Sequence, residues 1–191
     1  YQIVGQPLGV FYLPHCTGLI SDGEGGYTYA IADLNGGGVS LEDGEDRAVA
    51  GQAVPKTLLG SNISFRYKRL DVQINGAFGH KIYNGTSLTY MNMNIFPDYN
   101  VMKEAPQRNI KDQTATDYWL EKGDYINFDY LTIGWNVPVE KWSKYIQSLR
   151  LAFTINNLAT VSGYSGLSAM INSSTVNSTL GVDDKRGYPL A

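Results

Sequence analysis

The stretch LLGSNISFRYKRLDVQINGAF, residues 58–78, consists of two segments in which apolar and polar residues alternate. Lys68 and Arg69 stand between the two segments. A period of two places the apolar side chains of a strand on one face and its polar side chains on the other. Two such segments with so short a link predict a tight antiparallel hairpin. Its polar face would carry Asp71, Gln73 and Asn75.

Three further segments have the same two-residue period. SLRLAFTIN (148–156) and YINFDYLTIGW (125–135) alternate clearly, whereas PLGVFYLP (7–14) is a weaker candidate between two prolines. In YINFDYLTIGW the apolar positions change parity near Asp129 and Tyr130, which predicts a β-bulge there. We therefore expect about five strands in all. The polar face of SLRLAFTIN carries Arg150, Thr154 and Asn156.

The composition is typical of strands and turns. Hydrophobic residues make up 43% of the 191 residues, and there are 21 glycines and 14 tyrosines. Aromatic residues fit a pleated surface, while glycine supplies positive φ in loops. A net charge of -3, without a basic stripe, argues against nucleic acid as a partner. Cys16 is the sole cysteine, so the sequence has neither a disulfide framework nor a cysteine metal site.

The connections between the segments are of two kinds. Lys68-Arg69 and residues 138–147 are short, whereas residues 18–57, 79–122 and 157–191 are long and polar. Such long unstructured loops are uncommon inside a compact soluble domain but normal outside an outer-membrane barrel. The period of two cannot separate a soluble sandwich from a barrel, and the unequal loops favour the barrel.

Six pieces of the chain, taken in order, resemble one family. They are VGQPLGVFY, DRAVAGQAVPKTLLG after an Asp-x-Asn-Gly loop, SFRYKRLDVQINGAFGHKIYN, WLEKGDYINFDYLTIGWNVP, SLRLAFTINNLATVSGYSG and GVDDKRGYPLA. Together they resemble the C-terminal barrel region of SusC/RagA-type TonB-linked outer-membrane transporters of Bacteroidetes. We therefore expect an all-β fold: an antiparallel transmembrane β-barrel segment with long extracellular loops. Residues 1–191 would form one portion of the barrel domain of a TonB-dependent receptor.

The resemblance implies that the chain is part of a larger transporter in the bacterial outer membrane. The intact protein would carry a plug domain and a barrel of about 22 strands, surrounded by outer-membrane lipid. The TonB complex would supply energy through the absent N-terminal region. A SusD-like lipoprotein would form a lid, and the cargo would be an oligosaccharide or a peptide. The last strand of the family follows a Tyr-Pro motif, and this chain stops at Ala191, so we expect a fragment without that strand or the plug.

The same likeness gives the strands a direction. The turn at Lys68 and Arg69 would lie on the periplasmic side, and the acidic stretch before Arg47 would lie outside the cell. The polar faces would then line the lumen of the barrel. The residues predicted to face the lumen are Asp71, Gln73, Asn75, Arg150, Thr154 and Asn156.

The stretch ADLNGGGVSLEDGEDR, residues 32–47, is partly similar to a calcium loop. Asp33 and Asn35 would take the first and third ligand positions. Two later ligand positions are glycines, and Asp43 could substitute only by a local shift. The stretch therefore has two interpretations, a weak calcium site and an ordinary Asx turn rich in glycine, and the sequence favours the turn. We expect no other cofactor.

The long connection after residue 79 is rich in aromatic residues. Such rings suit contact with sugars or peptide side chains, and they equally suit a small hydrophobic cluster that orders the loop. The sequence favours the cluster for any single residue. As a group, these residues are our candidates for contact with cargo or lid: Tyr83, Tyr90, Tyr99, Tyr118 and Trp119.

The sequence thus predicts part of an importer of nutrient oligomers rather than an enzyme. No Ser-His-Asp order, phosphate-binding glycine loop or carboxylate pair of convincing spacing is present. Two alternatives remain open. One is a passive porin-type barrel, and the other is a soluble β-sandwich that binds glycans and carries a calcium-loop-like turn.

Overall fold

The computed structural model describes residues 3–42, 44–65, 70–92, 101–139, 145–170 and 180–184. The strands are β1 Val10–Pro14, β2 Cys16–Ser21, β3 Tyr27–Ile31, β4 Arg47–Gln52, β5 Thr57–Phe65, β6 Leu70–Phe78, β7 Lys81–Asn84, β8 Leu120–Lys122, β9 Tyr125–Val137, β10 Leu149–Ser162 and β11 Val182–Asp183. The helical pieces are α1 Gly85–Tyr90, α2 Ala105–Arg108 and a 3₁₀ turn at Asp117–Trp119. None of the helices in this part of the chain has the length and apolar character that crossing a membrane requires.

Four strands form one antiparallel sheet, which we call the long sheet, in the order β10-β9-β6-β5. β5 pairs with β6 in continuous register down to Phe65 opposite Leu70. The predicted hairpin is therefore confirmed, while residues 66–69, which link its strands, lie outside the described part of the chain. The alternation of apolar and polar residues sets this register, because a slip by one residue would exchange the two faces.

The predicted β-bulge lies in β9 at Asp129. Gln73 of β6 is opposite Tyr130, and Ile74 is opposite Phe128, which makes Asp129 the extra residue. The register of β10 against β9 shifts beside the same residue. Because β9 gains one residue here, apolar side chains before and after the bulge stay on the same face of the sheet.

All long connections leave the long sheet at the same end, which we call the loop end. β5 and β9 begin there, and β6 and β10 finish there, since each strand is antiparallel to its neighbour. At the opposite end, β5 and β9 finish and β6 and β10 begin. The strand ends that precede or follow long connections thus lie at one end of the sheet, and those joined by short connections lie at the other.

We call the described residues within 3–56, 79–124 and 163–184 the cap. It contains three small sheets, β1-β4, β2-β3 and β11-β7-β8. Nine of its buried side chains form one apolar cluster: Phe11, Leu13, Tyr29, Ala53, Tyr83, Met91, Ala105, Ile110 and Trp119. The cap therefore has a core of its own, to which the described strands of the long sheet add no fully buried residue.

β1 corrects the prediction of a fifth barrel strand at residues 7–14. This strand pairs with β4 in a separate two-stranded sheet and does not join the long sheet. Val10, Phe11 and Leu13 are all buried, so both faces of the strand are covered by the cap. A short apolar run does not reveal whether one face or both are covered. In the described part of the chain, the long sheet therefore has four strands rather than five.

Candidate functional site

One face of the long sheet is apolar and exposed. The side chains of Phe153 and Trp135 on this face are 65% and 58% exposed. Monomeric soluble proteins rarely expose a contiguous apolar patch of this kind, so it marks a contact surface. The apolar face consists of Leu59, Ile63, Phe65, Leu70, Val72, Ile74, Ile126, Phe128, Leu131, Ile133, Trp135, Leu151, Phe153, Ile155 and Val161.

The opposite face is polar and contains all six residues that the sequence predicts to line a lumen. They are Asp71, Gln73, Asn75, Arg150, Thr154 and Asn156. Rows of polar side chains run across the strands, since Asp71 and Thr154 are both opposite Thr132. The predicted common face is therefore present. The lumen itself stays a prediction, because the described strands form an open sheet.

A hydrogen-bonded group lies on the polar face beside the bulge. Asp129 accepts hydrogen bonds from Asn75 Nδ2, at 2.6 Å, and from Asn127 Nδ2. Thr160 Oγ1 donates to Asn127 Oδ1 at 2.6 Å. These bonds join β6, β9 and β10. The bulge places the Asp129 carboxylate within hydrogen-bond distance of both amides. The extra residue therefore also stabilises the polar face.

The aromatic residues predicted to contact cargo or lid lie in or beside the core of the cap. Tyr83 and Trp119 are 7% and 5% exposed, so both are core residues. Tyr90 and Tyr118 are half-buried and keep some surface that a ligand could reach. Tyr99 lies outside the described residues. Tyr83 and Trp119 thus belong to a small hydrophobic cluster that orders the loop. Contact of the aromatic group with cargo stays a prediction.

Trp119 is held by a hydrogen bond and by the neighbouring ring of Tyr118. Its Nε1 donates to the Tyr29 hydroxyl at 2.6 Å. The Tyr118 ring meets it edge to face, with centroids 4.9 Å apart. Burial raises the pKa of the Tyr29 hydroxyl, and burial raises the pKa of Tyr83 to about 12. Both phenols are therefore neutral at physiological pH and serve as packing groups.

In the structure, polar side chains of the stretch that resembles a calcium loop accept hydrogen bonds from nearby backbone N–H groups. Asp33 accepts hydrogen bonds from the backbone N–H groups of Gly36 at 2.6 Å and Gly38 at 3.0 Å. Asn35 accepts from the N–H of Gly37 at 2.8 Å. Gly36 and Gly38 have φ values of 77° and 95°, which glycine adopts without strain. Both predicted ligands thus serve Asx turns.

Asp46 organises the same stretch, and the sequence analysis did not single it out. Its carboxylate accepts hydrogen bonds from the N–H groups of Leu34 and Ser40, both at 2.7 Å. These donors, that of Ser40 first, lower the pKa of Asp46. Asp43, the proposed substitute ligand, lies outside the described residues. In the described ranges, no three His, Cys, Asp or Glu side chains form a group that could hold a metal ion.

No protein-family model matches the chain. TonB-dependent receptor P3 of Formosa agariphila is 27% identical over 187 residues, which cover 85% of this chain and 18% of that protein. Among solved structures, the RagAB peptide transporter matches with a TM-score of 0.66 at 14% identity, covering 91% of this chain and 20% of the other. The RagAB peptide importer in its closed-closed state matches with a TM-score of 0.64 at 13% identity, covering 96% and 23%.

These matches agree with each other on the kind of fold. At such low identity, the solved structures show a likeness of fold alone. The chain spans less than a quarter of the length of each of these relatives. It therefore matches one part of a much longer chain in every case.

Proposed function

Since this chain is a homologue of TonB-dependent receptors, which reside in the bacterial outer membrane, we propose that it forms part of an importer of nutrient oligomers. The observation that carries this proposal is the long sheet. One of its faces is apolar and exposed, the other is polar, and every long connection leaves from one end. Outer-membrane barrels have this combination of features.

In this proposal, the apolar face contacts lipid and the polar face contacts the water inside a barrel. β9 and β10 have 13 and 14 residues. A tilted strand needs about 9–11 residues to cross the hydrocarbon core. Both strands are therefore long enough to cross and to extend beyond the hydrocarbon core. The cap would then stand outside the membrane, at the mouth of the barrel.

The cargo class and the partners follow from the same proposal. The RagAB structures are those of a peptide importer, and we propose oligopeptides or oligosaccharides as the cargo of this protein. A SusD-like lipoprotein would cover the cap, and the TonB complex would supply energy. Half-buried Tyr90 and Tyr118 are our candidates for contact with cargo or lid, and Tyr118 packs edge to face on buried Trp119. Import of this kind needs binding and gating, with no covalent chemistry on the cargo.

The soluble β-sandwich alternative fits the structure poorly. A sandwich buries the apolar face of one sheet against a second sheet. Residues such as Phe153 and Trp135 remain exposed in the described chain, with no second sheet packed on them. The porin alternative needs a functional test, because a passive barrel would have the same kind of strands.

An uptake experiment separates an importer from a porin. Labelled oligopeptides and oligosaccharides are supplied to cells that contain or lack the full-length protein, with and without a proton uncoupler. We expect the full-length protein to increase uptake of one of the two classes, and we expect the uncoupler to abolish the increase. Uptake that persists with the uncoupler would identify a passive porin. Uptake unaffected by the protein, for both classes, would reject import of these oligomers.

A labelling experiment tests the topology in the same cells. Lys68→Cys and Leu41→Cys are made in a Cys16→Ser background and exposed to an impermeant thiol reagent. We expect labelling at position 41, in the cap, and none at position 68, at the other end of the hairpin. Labelling at position 68 in intact cells would contradict the proposed orientation.

A further inference from the structure

A groove of about 630 Å³ lies where the cap meets the loop end of the long sheet. Parts of β1 and β4 form its wall on the cap side, and residues next to β5, β6 and β9 form its wall on the sheet side. Lys56, Lys81 and Lys122 line it, and Asp124 is the one carboxylate among its described lining residues. The groove therefore carries an excess of positive charge.

Two of these lysines oppose each other across a strand pair. Lys81 in β7 is the antiparallel partner of Lys122 in β8. Like charges directly opposite each other destabilise a strand pair. The ion pairs found in the described part of the chain involve neither of these lysines, nor Lys56. An anion bound between them would attract both ammonium groups and offset this repulsion.

Two glycines bring the lysine stems close to the backbone. A Cβ at Gly51 would lie 2.7 Å from Lys81 Cγ, and one at Gly79 would lie 3.0 Å from Lys56 Cβ. The missing side chains let the Lys81 stem lie directly on β4 and the Lys56 stem lie on the connection between β6 and β7. Stems held in this way lose little further freedom when their ammonium groups bind a ligand.

His80 adds a buried polar group to the wall of the groove. Its imidazole is 7% exposed, and its Nδ1 has no hydrogen-bond partner among the described residues. Asp124 Oδ1 is 3.8 Å away from it and instead accepts a hydrogen bond from the N–H of Gly79 at 2.7 Å. Buried polar atoms are normally satisfied. His80 Nδ1 is thus an exception among the described residues, and it belongs to a residue that lines the groove.

We propose that this groove binds a phosphate group, held by Lys56, Lys81 and Lys122. Three lysine charges and one carboxylate leave an excess that matches a phosphate monoester, which carries about -1.5 to -2 at pH 7. The lysine ammonium is a common binder of phosphate as a point charge. The phosphate could belong to a lipid headgroup at the membrane surface or to a soluble compound. The site rests on the groove alone and does not require that the protein be an importer.

The test titrates inorganic phosphate into the full-length protein in detergent, at low salt, and measures the heat of binding. We expect saturable binding that Lys81→Gln and Lys122→Gln each weaken about tenfold or more, because each removes a charge-assisted hydrogen bond. Lys103→Gln is the matched control, since Lys103 is an exposed lysine of the cap outside the groove. Lys81→Arg keeps the charge and should retain most of the binding.

A second arm identifies the source of the phosphate. The same variants are titrated with mixed micelles that contain phosphatidic acid, a lipid with a phosphate monoester headgroup. Micelle binding that Lys81→Gln abolishes assigns the site to a lipid headgroup, whereas binding of inorganic phosphate alone assigns it to a soluble compound. The proposal fails when neither probe binds, or when Lys81→Gln and Lys103→Gln bind equally. Heat-modifiability on gels establishes that each variant is folded.

Discussion

The cap and the long sheet use apolar side chains in opposite ways. In the cap, Ile110 and Trp119 are buried in a common core, whereas Phe153 and Trp135 of the long sheet stay exposed. Water drives apolar surface into a core, but lipid tails are as apolar as the side chains themselves and exert no such drive. The difference is therefore what we expect for a cap in water and a sheet in a bilayer.

Polar groups also differ between the two regions. In the cap, many carboxylates serve nearby backbone: Asp22 accepts from the N–H groups of Glu24 and Gly26, both at 2.8 Å. On the long sheet, Asn75 reaches Asp129, which is far away in sequence. The turns of the cap thus depend on local sequence, whereas the polar face depends on strand register. A slip of one residue would move its polar side chains to the apolar face.

The largest effect that separates the two regions is expected from Trp119→Ala in the cap. Loss of a buried tryptophan costs about 3–5 kcal/mol, and here it also leaves the Tyr29 hydroxyl without its donor. We expect the cap of the full-length protein in intact cells to become sensitive to added protease. The long sheet should keep its heat-modifiability on gels.

The control for this variant is Leu41→Ala, because Leu41 is an exposed apolar residue of the cap. Its protease sensitivity should equal that of the unchanged protein. Equal sensitivity of Trp119→Ala and Leu41→Ala would mean that the cap has no core of its own. Loss of heat-modifiability in Trp119→Ala would mean that the two regions fold as one unit.

The next largest effect is expected from Ile155→Arg on the apolar face of the long sheet. An arginine facing lipid near the bilayer midplane costs about 2–4 kcal/mol. Thr154→Arg is the matched control, because Thr154 is the neighbouring residue on the polar face. We expect Ile155→Arg to lower the free energy of unfolding in lipid vesicles, and Thr154→Arg to change it little. A larger loss for Thr154→Arg would reverse the assignment of the two faces.

The long sheet could be predicted from the sequence because its pattern is local. The period of two in residues 58–78 sets both faces of the hairpin, and the change of parity near Asp129 marks the bulge. The resemblance to TonB-dependent receptors is also confirmed by the sequence match, and the chain shares its fold with part of the RagAB structures. The position of the chain at the C-terminal part of a barrel stays a prediction.

The cap could not be predicted, because its contacts join distant parts of the chain. Trp119 and its acceptor Tyr29 are 90 residues apart, and no periodic pattern connects them. The cross-strand pair of Lys81 and Lys122 is equally non-local. Asp46 has a φ of 49°, a conformation in which Asp is enriched over most residues, but no sequence pattern reveals this angle. In the sequence it was one acid among several.

A smaller and local effect is expected from Asp46→Asn in the cap. The amide keeps one acceptor oxygen but places an NH₂ group against the second backbone donor, so the turns between residues 34 and 46 should loosen. We expect faster amide hydrogen exchange in this stretch at pH 7. Glu42→Gln is the matched control, since Glu42 is an exposed acid of the same stretch, and its exchange should not change.

The effect of Asp46→Asn should depend on pH in a defined direction. Hydrogen bonds to the carboxylate hold the folded pKa of Asp46 below the unfolded value of about 3.9. Its stabilisation is therefore complete above the unfolded pKa and is lost as the pH falls through the folded pKa. The difference in exchange between Asp46→Asn and the unchanged protein should shrink at pH values below about 3.9. A difference that is constant with pH would mean that the charge of Asp46 contributes nothing.

The smallest effect in the cap is expected from calcium. Asp33 and Asn35 already accept hydrogen bonds from backbone N–H groups, and these donors are satisfied without a cation. In the purified protein, neither chelation nor added calcium should change the hydrogen exchange of residues 32–47. Asp33→Ala should speed exchange at Gly36 and Gly38 to the same extent with or without calcium. Protection that appears only with calcium, and disappears in Asp33→Ala, would show that the ion, rather than the Asx turns, orders this part of the cap.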